Sequence, residues 1–99
     1  MVYYLKKDYK IIGYRKSEKK GKKYDAVLQN ISMSPRNRNK IIYIPFGAIG
    51  YGTYRDLTGL NLYTVHNDPV RRKNYRARHK NDLKTGYYSP GWFSYYITW

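Results

Sequence analysis

Between Arg71 and Lys80 the chain reads RRKNYRARHK, which sets Arg71, Arg72, Arg76 and Arg78 beside Lys73, Lys80 and the single ring of Tyr75. Guanidinium groups grip phosphate and carboxylate oxygens through paired, near-parallel N–H donors, so this run is first of all a candidate polyanion-binding element. Two further clusters share its sign. Lys16, Lys19, Lys20, Lys22 and Lys23 form one, and Arg36, Arg38 and Lys40 the other. Lysines on loops follow a phosphate backbone without reading bases, which gives salt-sensitive and sequence-tolerant affinity. The competing reading of any one of these cations is a solvated charged surface that serves solubility. Tyrosines beside the basic runs can stack on unpaired bases, but no RNA-recognition-motif or KH signature is present.

The residues that would support catalysis are sparse. His66 precedes Asp68 by two positions and His79 lies a helix length further on, yet the 6 acidic residues are scattered and form no pair suited to acid–base work or metal binding. Cysteine is absent, which excludes disulfides and thiolate metal sites. The glycines of FGAIGYG, starting at Phe46, lack the lysine and hydroxyl residue of a phosphate loop and are read as backbone devices. No catalytic residue, metal, cofactor or small-molecule substrate is therefore expected.

The elements that position these groups follow from local pattern. YKIIGYRK (Tyr9–Lys16) and KYDAVLQN (Lys23–Asn30) are rich in β-branched and aromatic residues and flank a lysine-rich turn, which predicts a β-hairpin. SPRNRNK, Ser34 to Lys40, reads as a polar loop before the apolar strand Ile41–Ile44, whose ladder Pro45 is expected to end. Glycines at 47, 50, 52 and 59 then mark an irregular connection up to Asn61. Asp68-Pro69 is a helix start, because the carboxylate can cap free amides and proline needs none at the first helical position. The helix should run to about Lys80, with Val70, Asn74 and Ala77 on the side that docks and Arg72, Arg76 and His79 on an opposite, cationic side. Ser89-Pro90 repeats the start signal, and Trp92, Tyr95, Tyr96 and Trp99 follow it in a short aromatic helix, with a strand as the rival. These four rings are candidate partner contacts, Trp99 more so than Trp92, since tryptophan and tyrosine are favoured in contact hot spots.

Composition agrees with a folded, charge-seeking chain. There are 20 Lys and Arg against 6 Asp and Glu, a formal charge of +14, while 41% of the 99 residues are hydrophobic and 14 are tyrosine. Such a chain repels itself unless anions or neighbours offset the charge, and its rings supply the burial needed to order it. No stretch approaches the roughly 20 apolar residues that span a bilayer, and the amino end lacks a signal peptide's apolar region, so a cytosolic origin is expected.

One resemblance narrows the reading. Phe46-Gly47, Gly50-Tyr51, Tyr63-Thr64, His66, Asp68, Arg71-Arg72, Tyr75, Arg78-His79, Trp92 and Trp99 together resemble a small uncharacterised family of basic proteins from nucleocytoplasmic large DNA viruses, with Gly52 to Asn61 as an insertion relative to it. The resemblance implies a virion setting, reached through the host cytoplasm or viral factory, and no established activity. In those terms His66 and Asp68 are a shared structural cap: Asp68 caps the helix, His66 fixes the approach loop, and Arg71 or Arg72 pairs with Asp68. The expected fold is α+β in one domain, residues 1–99: a β-rich part (1–46) with a small antiparallel sheet, a glycine-rich loop (47–61), and a helical part (62–99) with the basic helix and the aromatic tail. The expected function is a non-enzymatic virion structural protein, a minor capsid or internal component. It would bridge viral capsid proteins, DNA or RNA backbone or anionic membrane headgroups, as one copy among several in an assembly. The alternative is a nonspecific nucleic-acid-binding protein.

Overall fold

The computed structural model describes residues 8–32, 40–85 and 88–99. A three-stranded antiparallel sheet, β1 (Tyr9–Lys16), β2 (Lys22–Asn30) and β3 (Ile41–Ala48), runs in the order β1-β2-β3. Helix α1 (Pro69–His79), a 3₁₀ turn (Lys80–Thr85), helix α2 (Pro90–Phe93) and a π-helical turn (Ser94–Thr98) complete the chain, so the fold is α+β. The hairpin turn closes where Lys22 N–H donates to the Lys19 carbonyl at 3.1 Å, with Gly21 at a φ of 85°, a conformation that favours glycine.

Side-chain alternation decides which face of the sheet is buried. Tyr24, Ala26 and Leu28 of β2 and Ile44 and Phe46 of β3 point to one face and are buried. Strand β1 reaches that face with Tyr9, Ile11 and Tyr14, a set that strict alternation cannot supply. A β-bulge solves this: Ile11 pairs with Leu28 and Gly13 with Val27, which leaves Ile12 as the extra residue and shifts the alternation by one. The aromatic tail closes the core. Phe93 is fully buried and stacks on Phe46 at 5.4 Å, and Tyr14 meets both rings edge-on.

Pro45 does not end β3. It pairs with Asp25 inside a ladder that continues to Lys22–Ala48, because β3 is an edge strand and the amide that proline lacks can be spared on its outer side. Strand β3 is accordingly twice as long as the apolar run suggests.

Beyond β3, a strip of main chain ties the helices to the sheet. Thr53 and Tyr54 carbonyls accept from the amides of His66 and Asn67, and the amides of Arg55 and Leu57 donate to the carbonyls of Thr98 and Ile97, all between 3.0 and 3.1 Å. Asp56 anchors the strip to the core: the Tyr24 hydroxyl donates to its Oδ2 at 2.5 Å, and Thr58 N–H donates to its Oδ1 at 2.7 Å.

A cationic cleft between the glycine loop and the basic helix

Helix α1 starts where its sequence says it must. Asp68 Oδ1 accepts from the amides of Val70 (2.9 Å) and Arg71 (3.3 Å), and Pro69 occupies the first turn. Arg71 Nε stands 4.0 Å from Asp68 Oδ2. His66 Nδ1 accepts from the Asp68 amide at 2.9 Å, which places the proton of the neutral ring on Nε2. That Nε2 is buried and has no acceptor among the described residues. Gly52 lies beside the same ring: a Cβ there would sit 3.4 Å from His66 Cδ2.

The two faces of α1 are the reverse of the sequence expectation. Val70 is 66% exposed, and Asn74 and Ala77 are exposed as well. The docked side carries Arg72, Tyr75, Arg76 and His79. Tyr75 stacks on Trp99 at 4.1 Å and 2°, and His79 lies on Tyr75 at 4.1 Å. Arg72 Nε and Arg76 Nε donate to the main-chain oxygen of Trp99 at 2.7 and 3.4 Å, and Arg76 Nη2 donates to the Tyr95 carbonyl at 3.4 Å. Both guanidinium planes also cover rings, Arg72 over Tyr54 at 4.8 Å and Arg76 over Tyr95 at 4.4 Å. Arginine stems are apolar and their heads take carbonyl acceptors, so a cationic stripe can be the packed one.

Three assignments from the sequence change as a result. Arg72 and Arg76 are structural staples between α1 and the tail rather than free polyanion ligands. Lys23 is only 3% exposed: its stem packs on Gly47 and its ammonium donates to the Tyr51 carbonyl, so it leaves the hairpin patch. Burial pushes that ammonium below its usual pKa, and the Asp56 carboxylate holds it partway back. Of the four aromatic contact candidates, Trp92, Tyr95 and Trp99 are packed within the fold and Tyr96 alone is exposed. Arg36 and Arg38 lie outside the described residues. Among the described residues the exposed cations are Lys10, Lys16, Lys19 and Lys20 on the hairpin, Lys40 just before β3, and Arg71, Lys73, Arg78 and Lys80 on the helix side.

The arrangement brings part of the two basic patches together. Lys22 from the start of β2 and Arg71 and Arg78 from α1 line one cleft of about 1050 Å³, whose other wall is the glycine loop from Gly47 to Thr53 and whose tail side is Ser94, Thr98 and Trp99. Among the described residues no Asp or Glu lines it. Sequence reasoning placed Lys22 and the helix in separate patches, because the antiparallel return of β3 and the glycine loop, which set them face to face, are matters of topology. Among the described residues no three His, Asp or Glu side chains gather as a metal site would require, and no helix is long and apolar enough to cross a membrane.

The structure is thus a small α+β scaffold with a cationic cleft. Residues 14–79, more than half of the chain, match DUF5754, a family of unknown function, and the chain belongs to that family. The matched stretch opens within β1 and closes at the end of α1, so it contains the cleft's cations Lys22, Arg71 and Arg78. No curated protein and no solved structure matches the chain.

Proposed function

We propose that this protein is a non-enzymatic polyanion-binding protein whose principal ligand is the phosphate backbone of nucleic acid. One observation carries the reading: after Arg72, Arg76 and Lys23 are set aside as internally used, exposed or cleft-lining cations remain on both the hairpin and α1, and no Asp or Glu among the described residues lines the cleft between them. Arg71 has Asp68 Oδ2 at 4.0 Å, but no ion pair among the described residues holds Lys22 or Arg78. Cations gathered in a recess focus a positive field, which a polyanion neutralises with release of its own counterions. Contacts of this kind follow the backbone and leave sequence unread.

The test is an equilibrium titration of DNA across salt. Engagement of four or more phosphates predicts about a 100-fold loss of affinity between 50 and 200 mM salt, with little difference between base sequences. Salt-independent binding, or dominance of one sequence, would overturn the reading.

A virion structural role is the second reading, and a specific surface favours it. Ile49, Tyr51, Leu57 and Leu62 around the glycine loop are each at least half exposed. Apolar side chains of that size gathered on one loop region suit coverage by a neighbouring subunit. Fixed stoichiometry with a capsid shell after removal of the genome would place this role ahead of nucleic-acid binding.

A further inference from the structure

We infer that the cleft takes a single nucleic-acid strand, while the exposed hairpin lysines meet single strands and duplexes alike. The inference rests on the polyanion reading and adds to it a division of labour between two surfaces. Its first support is shape. Lys22, Arg71 and Arg78 do not stand on a convex ridge, where a duplex could lie across them; they line a recess of about 1050 Å³. That volume is close to the top of the roughly 300–1,000 Å³ of small-ligand pockets, a size that suits a few nucleotides of one strand better than a base-paired helix. Its second support is chemistry. Tyr51 lines the same recess and is 74% exposed, the most open of the large hydrophobic side chains among the described residues. A ring kept open beside cations is the pairing that holds unpaired bases, because every base has a face to stack while the phosphates find the charges. Its third support is the wall. Gly50 and Gly52 are exposed and carry no side chain, and a Cβ at Gly50 would meet nothing, so a sugar–phosphate chain can run close to the main chain there.

An acidic peptide would satisfy the cations as well but would leave Tyr51 without a stacking partner, so the ring separates the two ligands. The experiment compares oligo-dT, a duplex of equal length and poly-glutamate by fluorescence anisotropy. The proteins are the wild type, the double variant Arg71→Ala/Arg78→Ala, Tyr51→Ala and the hairpin variant Lys19→Ala/Lys20→Ala. All the altered side chains are exposed, and matched melting temperatures verify the fold. The double cleft variant should lose about tenfold or more in oligo-dT affinity and about 2 from the magnitude of its salt slope, with a much smaller change for the duplex. Tyr51→Ala should weaken oligo-dT about fivefold or more and spare the duplex. The hairpin variant should weaken both nucleic acids equally. If the cleft variants weaken single strand and duplex equally, or if poly-glutamate binds as tightly as oligo-dT and ignores Tyr51→Ala, the inference is wrong while polyanion binding stands. If the wild type binds none of the three, the polyanion reading itself fails.

Discussion

Tyr24 is 1% exposed in the middle of the sheet, yet its hydroxyl is fully used: it donates to Asp56 Oδ2 and accepts from the Leu62 amide at 3.2 Å. Burial, aided by the Asp56 hydrogen bond, pushes the phenol up to about 12. The neutral phenol therefore stabilises the fold fully below pH 10, and this contribution is lost as pH rises toward 12, where the unfolded chain ionises first. Tyr14, raised by burial, acts in the same direction. Lys23, lowered by burial, opposes them up to its ordinary value of 10.5. Tyr24→Phe should cost about 1.5–3 kcal/mol near neutral pH, because Asp56 loses a charge-assisted bond, and should flatten the alkaline fall between pH 10 and 12. Denaturant unfolding at a series of pH values reads both effects; parallel alkaline slopes in the two proteins would show that Tyr24 does not govern this limb. At the acid end, burial raises the Asp56 carboxyl but the bonds from Thr58 and Tyr24 outweigh it and leave it below the usual value. Its contribution is present above the ordinary carboxylate pKa and is lost as pH falls through the lowered one, so Tyr24→Phe should shrink this limb too.

At the scale of elements, α1 depends on its neighbours, since it contains no fully buried residue and is fastened through Tyr75, Arg72 and Arg76 to Trp99 and Tyr95. Trp99→Ala removes the stacking partner of Tyr75 and a ring beside His66, and should cost about 2–3 kcal/mol. Hydrogen exchange followed by segment should show residues 69–79 losing protection while β1 and β2 keep theirs; unchanged protection in α1 would mean the stack holds nothing. The sequence read Trp99 as a candidate partner contact, whereas the structure packs it on Tyr75, and the reason for the difference is physical. Spacing locates polar and apolar sides of a helix, and by that measure Val70 and Ala77 looked like the docking side. What α1 docks against is a set of carbonyl oxygens and ring faces some twenty residues downstream, which attract guanidinium groups, and such acceptors leave no mark in the helix's own pattern. The elements with local causes were legible: the hairpin from its β-branched and aromatic runs, the α1 start from Asp68-Pro69, and the tail helix from Ser89-Pro90, whose hydroxyl caps Trp92 N–H at 3.2 Å. The bulge at Ile12, the passage of β3 through Pro45 and the convergence of Lys22 with Arg71 and Arg78 depend on pairing across the chain, and a linear reading does not contain them.

For the molecule as a whole, the deciding quantity is uncompensated charge. The chain carries +14 on 99 residues, and the ion pairs among its described residues are Arg15 with Asp25 and Arg71 with Asp68. Like charges are even packed together: burial, and then Arg72 and Arg76 nearby, hold the Arg55 guanidinium below its usual pKa. Self-repulsion of this kind destabilises the compact state and is screened by salt, with a Debye length that falls from about 30 Å at 0.01 M to about 3 Å at 1 M. Added sodium chloride should therefore raise the melting temperature of the free protein, by about 4–8 °C for each kcal/mol of repulsion relieved in a domain of this size. Nucleic acid should do the same at low salt by a different route, since a ligand at about 100 times its Kd adds about 2.7 kcal/mol to the folded state. The two effects must oppose each other, because the salt that relieves repulsion also removes the ligand's affinity. Melting curves with and without oligo-dT should thus start far apart at 20 mM salt and converge as salt rises, the free protein climbing and the complex falling. A free protein whose melting temperature drops with salt would mean that its surface charges stabilise the fold through networks of pairs, and the exposed cations could then no longer be counted as reserved for a ligand.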